Sequence, residues 1–236
     1  MVTAGRPVWT VLGCRAMRFL CISDIQGDAE ALQDVLVEAE RRGGFDRVLV
    51  AGDLCFPGPG PLATWRLLMA VQATFVPGLT DRALATLDLG KVVAQTLHER
   101  AQLERLAAVR EELGELIVTR LARAAPIVRI PLPNADELVL VHGSPADPTE
   151  GMAHDMTDEE LIALLGDDPA DVVVCGATHV PFDRQVAGVR IVNVGSVGEA
   201  PGRLHAHGTL IEVVATGYEV DQFVVPRVPG ALEASR

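Results

Sequence analysis

The sequence predicts an α/β fold in which a parallel sheet begins the chain and a second sheet is added later. Strand-like and helix-like segments alternate from residue 18 onward. The resulting β-α-β-α-β order predicts parallel strands joined by right-handed crossovers. The last third of the chain contains strand-like segments with no helices between them, which indicates a second sheet packed on the first.

The composition is that of a globular protein with an acidic surface. Of the 236 residues 49% are hydrophobic, enough for a sizeable core, and the length suggests one large domain or two small ones. Acidic residues number 32 against 20 basic ones, so the net charge is -12. This charge repels phosphate backbones and anionic lipids, and it argues against nucleic acid or a membrane surface as a partner.

The cysteines point to a reducing compartment. The chain has four, at Cys14, Cys21, Cys55 and Cys175, without a CxxC pair. Three lie in apolar strand-like runs, where free cysteines behave as small buried hydrophobes. No apolar run approaches the roughly 20 residues that a membrane helix needs. We therefore expect a cytoplasmic protein.

We interpret the two ends of the chain as additions to a single domain. Residues 11–14 loosely match a lipoprotein cleavage box, but the apolar stretch before them is shorter than a signal core of about 7–15 residues. We interpret residues 1–16 as a dispensable extension, 17–225 as the domain and 226–236 as a loose tail.

The first half of the chain has well-marked elements. A strand is predicted at 19–23, and Asp28 is placed to cap a helix that the pair Gly43 and Gly44 ends. The next predictions are a strand at 47–51, a helix at 63–70 and a strand at 73–76.

The middle of the chain, about residues 84–124, is predicted to be helical. Its apolar stripe favours packing against the sheet, and a dimer contact or a lid remains open as an alternative. The stripe consists of Leu103, Leu106, Leu113, Ile117 and Leu121.

The remaining elements are mostly strands. Gly188 and Gly217 supply hairpin turns in this part. Strands are predicted at 126–130, 137–141, 171–175, 184–186, 189–194, 209–214 and 218–225, and a helix at 158–165.

Polar motifs follow the strands. Each motif is weak alone, because a carboxylate after a strand is more often a helix cap than a metal ligand. Their order is informative, since the carboxyl ends of parallel strands meet at one edge of a sheet, where functional groups gather. The motifs are Asp24-Ile25-Gln26-Gly27-Asp28, Gly52-Asp53, Gly78-Leu79-Thr80-Asp81, His142-Gly143-Ser144-Pro145 and Gly176-Ala177-Thr178-His179.

These motifs resemble the metallophosphoesterase (calcineurin-like phosphoesterase) pattern D-x-H, G-D, G-N-H-D, H-G and G-H-x-H, in particular that of the small bacterial phosphodiesterase-like branch. Further matches are Gly58 to Pro61, Val180 to Phe182 and Asn193 to Gly198, so the resemblance covers about residues 17–225. It implies an α/β/β/α sandwich, two mixed sheets flanked by helices, and a phosphoester hydrolase.

The resemblance also implies two metal ions bridged by Asp53, at a site that this chain has partly lost. Three ligand positions and the general-acid position are changed: Gln26 and Ala177 stand in place of His, Leu79 in place of Asn, and Thr80 in place of the catalytic His. The implied first metal site is Asp24, Gln26, Asp53 and His179, and the second keeps Asp53 and His142.

Leu79 and Ala177 offer no donor atom, so the resemblance implies one divalent ion (Mn, Fe, Zn or Ni) rather than two, and a site without metal stays open. Losing the proton donor at Thr80 costs roughly 10²–10⁴ in rate. Candidates for compensation are Asp28, Asp81 and His205.

Three hypotheses remain. The first is a slow one-metal hydrolase of phosphodiesters or phosphomonoesters. The second is a non-catalytic pseudoenzyme that binds a small phosphorylated ligand, a nucleotide or a protein. The third, a minor one, is a purely structural role as a homo-oligomer through the helix at residues 103–121.

Overall fold

The computed structural model of the chain describes residues 16–199, 204–214 and 217–227. Most of the predicted extension and tail, including Cys14, lies outside the described residues. The other three cysteines are free and buried, as predicted.

Within the described residues the chain forms ten strands and five helices in mostly alternating order. They are β1 (Met17–Ile22), α1 (Ala29–Arg41), β2 (Arg47–Val50), α2 (Pro61–Ala70), β3 (Thr74–Phe75), α3 (Leu79–Thr86), α4 (Leu97–Ala122), β4 (Ile127–Pro131), β5 (Glu137–Val141), α5 (Asp158–Leu165), β6 (Val172–Cys175), β7 (Phe182–Val186), β8 (Val189–Asn193), β9 (His205–Val214) and β10 (Gly217–Pro226). Among the described helices, none has the length and apolarity needed to cross a bilayer.

The strands form two five-stranded mixed sheets. The first has the order β10-β9-β1-β2-β3 and the second the order β4-β5-β6-β8-β7. Strands β1, β2 and β3 are mutually parallel, as are β5, β6 and β8, while β4, β7, β9 and β10 pair antiparallel with their neighbours. The predicted two-sheet α/β/β/α architecture is confirmed.

Three apolar cores pack the layers of the fold against one another. The central core lies between the sheets and includes Phe19 and Leu49 from the first and Leu140 and Val174 from the second. A second core packs the helices α1 to α4 on the first sheet. A third, around Leu161, packs α5 on the second sheet.

The residues next to the first helix predicted correctly where it begins and ends. Asp28 caps α1 by accepting a hydrogen bond from the Ala31 amide at 2.9 Å. The helix ends at Arg41, followed by Gly43 and Gly44 with φ of 109° and 78°, which glycine adopts easily.

The middle of the chain differs from the prediction. One predicted helical stretch is divided into α3 and α4, and α3 begins at Leu79, five residues before that stretch and inside the third polar motif. Gly114, at φ 75° and ψ 164°, breaks α4. Helix α4 packs mainly on α2 and α3, with Leu106, Leu113 and Leu121 buried. The stripe is a packing face, but its main partners are helices and not the predicted sheet.

The prediction that the last third forms the second sheet is partly wrong. Strands β7 and β8 do join the second sheet, through a turn at Gly188 with φ of 89°. Strands β9 and β10 return to the first sheet, where β9 pairs with β1. Gly217 begins β10, and residues 215–216 before it lie outside the described part.

Candidate metal centre

The carboxyl ends of the central strands of both sheets meet at one edge of the sandwich. Asp24 follows β1, Asp53 follows β2 and His142 follows β5. One side-chain ligand atom from each lies within 4.8 Å of the others, and all three residues are buried. The two sheets therefore contribute jointly to a metal-competent cluster.

His142 is oriented by a backbone contact. Its Nδ1 lies 2.6 Å from the Ala51 carbonyl oxygen, which can only accept, so Nδ1 carries the proton. Nε2 is left with its lone pair and lies 3.8 Å from Asp53 Oδ2. This arrangement, a ring nitrogen donating to a backbone carbonyl, is the usual way in which proteins fix a metal-ligating imidazole.

Asp24 is fully buried and anchored on both oxygens. The Ala177 amide donates to Oδ2 at 3.2 Å, and His179 Nε2 lies 3.1 Å from Oδ1. The hydrogen bond to Asp24 raises the pKa of His179 above its ordinary value, against an opposing effect of burial.

Asp53 sits against the start of α3. The Thr80 amide donates to its Oδ1 at 2.9 Å, and a Cβ on Gly78 would lie only 2.0 Å from the same oxygen. Burial raises the pKa of Asp53; His142 opposes the rise and the Asp24 carboxylate adds to it. Gly78 thus permits the approach that brings the carboxylate to the cluster.

The residues fit a divalent cation. The cluster offers two buried carboxylates and one neutral imidazole, which suits borderline divalent metals. The Nε2 atom of His179 lies 3.1 Å from Asp24 Oδ1, and that of His142 lies 3.8 Å from Asp53 Oδ2. The Thr80 hydroxyl is buried beside Asp53 and finds no hydrogen bond of good geometry among the described residues.

The side chain of Gln26 reaches a residue that the sequence did not single out. In the amide orientation that satisfies both ends, its nitrogen donates to the Glu199 carboxylate at 2.9 and 3.1 Å. Glu199 directly follows the Asn193 to Gly198 motif, and that adjacency was the only signal in the sequence that could have pointed to it.

Comparison with protein families decides the identity of the fold. A model described as the calcineurin-like phosphoesterase superfamily domain matches residues 17–216. The chain belongs to this superfamily. Comparison with the curated proteins found no match.

Solved structures share the calcineurin-like phosphoesterase fold of this chain. A hypothetical protein from Pyrococcus horikoshii OT3 has 20% identity and a TM-score of 0.76, over 92% of this chain and 91% of that one. A metallophosphoesterase from Sphaerobacter thermophilus has 22% identity and a TM-score of 0.71, over 90% of each chain. A putative diadenosine tetraphosphatase has 20% identity and a TM-score of 0.55, over 91% of this chain and 95% of that one.

Two positions of the family pattern have side chains without donor atoms in this chain. Leu79 is 51% exposed at the first position of α3. Ala177 contributes only its backbone amide, to Asp24. Neither side chain carries an atom that could bind a metal ion.

The three candidates for compensation have other contacts. Asp28 caps α1 and pairs with Arg227 at 2.6 Å. Asp81 accepts the Leu54 and Gly78 amides, each at 3.0 Å, and burial together with Asp53 raises its pKa to about 7. His205 lies at the start of β9, not on a loop.

Proposed function

We propose that the protein is a phosphoester hydrolase that holds one divalent ion between Asp24, Asp53 and His142. The observation that carries the proposal is the convergence of three buried ligand atoms within 4.8 Å. In this proposal Gln26 and His179 are further ligands of the ion. His179 contacts Asp24 directly, and Gln26 stands at a ligand position of the family pattern. The family match supports phosphoester hydrolysis as the reaction.

The side chains divide the work by their chemistry. A divalent ion bound here would polarise a phosphoryl oxygen as a Lewis acid. Asp24 and Asp53 balance its charge, and the Nδ1 contact of His142 keeps Nε2 available. The Thr80 amide, which donates to Asp53 Oδ1, keeps that carboxylate in position.

The chemistry is slow in this proposal. Leu79 and Ala177 supply no side-chain donors, so a second ion is not held tightly. A threonine hydroxyl is a far weaker proton donor than the imidazole it replaces, whose loss costs about 10²–10⁴. The substrate class is a small phosphorylated molecule, such as a nucleotide, with a phosphodiester or phosphomonoester bond.

Turnover of bis-p-nitrophenyl phosphate with Mn²⁺ tests the proposal, together with elemental analysis of bound metal. We expect about one ion per chain and turnover that Asp53→Asn lowers more than about 100-fold, because removing a direct ligand exceeds the 10–100-fold effect of outer partners. Asp34→Asn, an exposed position on α1, is the matched control and retains activity. Two tightly held ions per chain would contradict the one-ion site.

A second candidate is a non-catalytic binding module. The exposed side chain of Leu79 at the rim of the site favours it, because an apolar group there suits a bound partner better than a hydrolytic centre. Absence of turnover with Mn²⁺, Fe²⁺, Zn²⁺ and Ni²⁺, despite metal binding, would select this candidate over hydrolysis for the substrates tried.

A further inference from the structure

Gln26 occupies a metal-ligand position with a side chain that has two unlike ends. An amide oxygen can coordinate a cation, whereas the amide nitrogen cannot, and rotation about the last side-chain bond is nearly free. Gln26 is only 6% exposed, and in the amide orientation that satisfies both of its ends the nitrogen donates to the Glu199 carboxylate at 2.9 and 3.1 Å. A carboxylate only accepts hydrogen bonds, so Glu199 selects the nitrogen end.

Glu199 is itself held by the loop that carries Asp24. Its amide donates to Ser196 Oγ at 2.8 Å, and that hydroxyl donates to the Asp24 carbonyl at 3.0 Å. The Gly198 amide donates to the same carbonyl at 2.8 Å. A Cβ on Gly198 would lie 2.2 Å from the Ile25 carbonyl oxygen, so glycine is needed for this close contact.

We propose that Glu199 is a positioning residue that fixes the Gln26 amide with its oxygen presented as a metal ligand. The carboxylate–amide pair thereby takes the place of the imidazole that the family pattern has at position 26. The proposal rests on the proposed one-ion site and adds a residue from outside the five motifs to it. Outer-shell carboxylates of this kind typically change metal affinity by 10–100-fold.

A double-mutant cycle on Mn²⁺ affinity, measured by titration calorimetry on the full chain, tests the coupling. Glu199→Ala weakens binding about 10–100-fold. Glu199→Gln retains more of the affinity, because its carbonyl still accepts from the amide. In the Gln26→Ala background, Glu199→Ala has no further effect, because the group that it positions is absent.

Glu115→Ala, an exposed position on α4, is the control for losing one negative charge and leaves Mn²⁺ affinity unchanged. Equal losses from Glu199→Ala with and without Gln26 would overturn the proposal, since they would show that Glu199 acts independently of the amide. A wild-type chain that binds no Mn²⁺ would instead overturn the one-ion site itself. Melting of the metal-free variants checks that each remains folded.

Discussion

At the scale of single residues, the candidate metal centre depends on backbone conformations that L-amino acids seldom adopt. Asp24, Gln26 and Asp53 have φ of 52°, 53° and 53°, and Ala177 and His179 have φ of 65° and 61°. Such conformations cost of order 1–3 kcal/mol each and cluster at functional sites. Sharp turns directly after the strands thus turn the side chains into the cluster.

Gly78→Ala adds one methyl group, which should disrupt the candidate site. Its Cβ would lie 2.0 Å from Asp53 Oδ1 and 2.5 Å from the Asp53 amide nitrogen. We expect Mn²⁺ affinity to fall at least about 10-fold and the free energy of unfolding to fall by about 1–3 kcal/mol, measured by calorimetry and urea titration. Gly90→Ala is the control, because its Cβ meets only Asp88 Oδ1 at 3.4 Å. Unchanged Mn²⁺ binding in Gly78→Ala would contradict the placement of Asp53.

Leu79→Asn combined with Ala177→His should restore the donors of the second metal position. Leu79 is 51% exposed, so the change removes little core, and histidine is among the residues that tolerate positive φ as at Ala177. We expect metal content to rise from about one ion to two, measured by elemental analysis.

Val93→Asn changes an apolar side chain that is 76% exposed and should leave the stoichiometry unchanged. A double variant that still holds one ion would mean that the backbone no longer fits a second site.

At the scale of elements, β9 supports the site although it carries no ligand of the cluster. It begins at His205, four residues before the predicted strand, and this places His207 beneath the loop after β8. The Ser196 amide donates to His207 Nδ1 at 3.2 Å, and a Cβ on Gly195 would lie 2.6 Å from the same nitrogen. The strand therefore holds the loop that carries Glu199.

His207 should make stability depend on pH. Burial, with the neighbouring His205, lowers the pKa of His207 from 6.5 to about 4. The folded state favours the neutral ring. The contribution of His207 to the free energy of unfolding is therefore complete above pH 6.5 and is lost as the pH falls toward 4. We expect metal-free wild type to lose about 1–2 kcal/mol of unfolding free energy from this group between pH 7 and 5, since solvent reduces the full effect of the shift.

The measurement is urea unfolding at the two pH values. His207→Asn keeps an acceptor near Nδ1 and does not titrate, so its loss over this interval should be smaller by that amount. Equal losses in both proteins would show that His207 is protonated in the fold as readily as in the unfolded chain.

At the scale of the whole molecule, the site lies on the seam between the two sheets. Asp24 and Asp53 follow strands of the first sheet, whereas His142 and His179 follow strands of the second. An ion held by residues of both sheets binds the folded sandwich and not the separated layers. Metal binding and global stability should therefore be linked.

Mn²⁺ should raise the free energy of unfolding by about 2.7 kcal/mol at a concentration 100 times its dissociation constant. Thermal and urea unfolding with Mn²⁺ and with EDTA measure the effect. His142→Ala should abolish most of it, whereas Asp34→Asn should keep it, since position 34 is exposed on α1. A stabilisation that survives His142→Ala would place the ion elsewhere.

Most of the alternation of strands and helices followed from the sequence alone. Parallel strands carry their carboxyl ends to one edge of a sheet, so the positions of Asp24 and Asp53 after two such strands implied that they would meet. That His142 and His179 would join them was implied by the resemblance to the metallophosphoesterase pattern. The cap at Asp28 was also readable, because it depends only on neighbouring residues. The start of α3 at Leu79 was not predicted, because residues 78–81 were interpreted as a site motif and not as the beginning of a helix.

Contacts between distant segments decided the rest. The return of β9 to pair with β1 depends on partners about 190 positions apart, as in Leu20 with Leu210, and local patterning carries no such information. The same holds for Glu199 beside Gln26 and for the other partners of Asp28 and Asp81. Periodicity and capping act within a few residues, whereas sheet order and side-chain partners are set by packing across the whole chain.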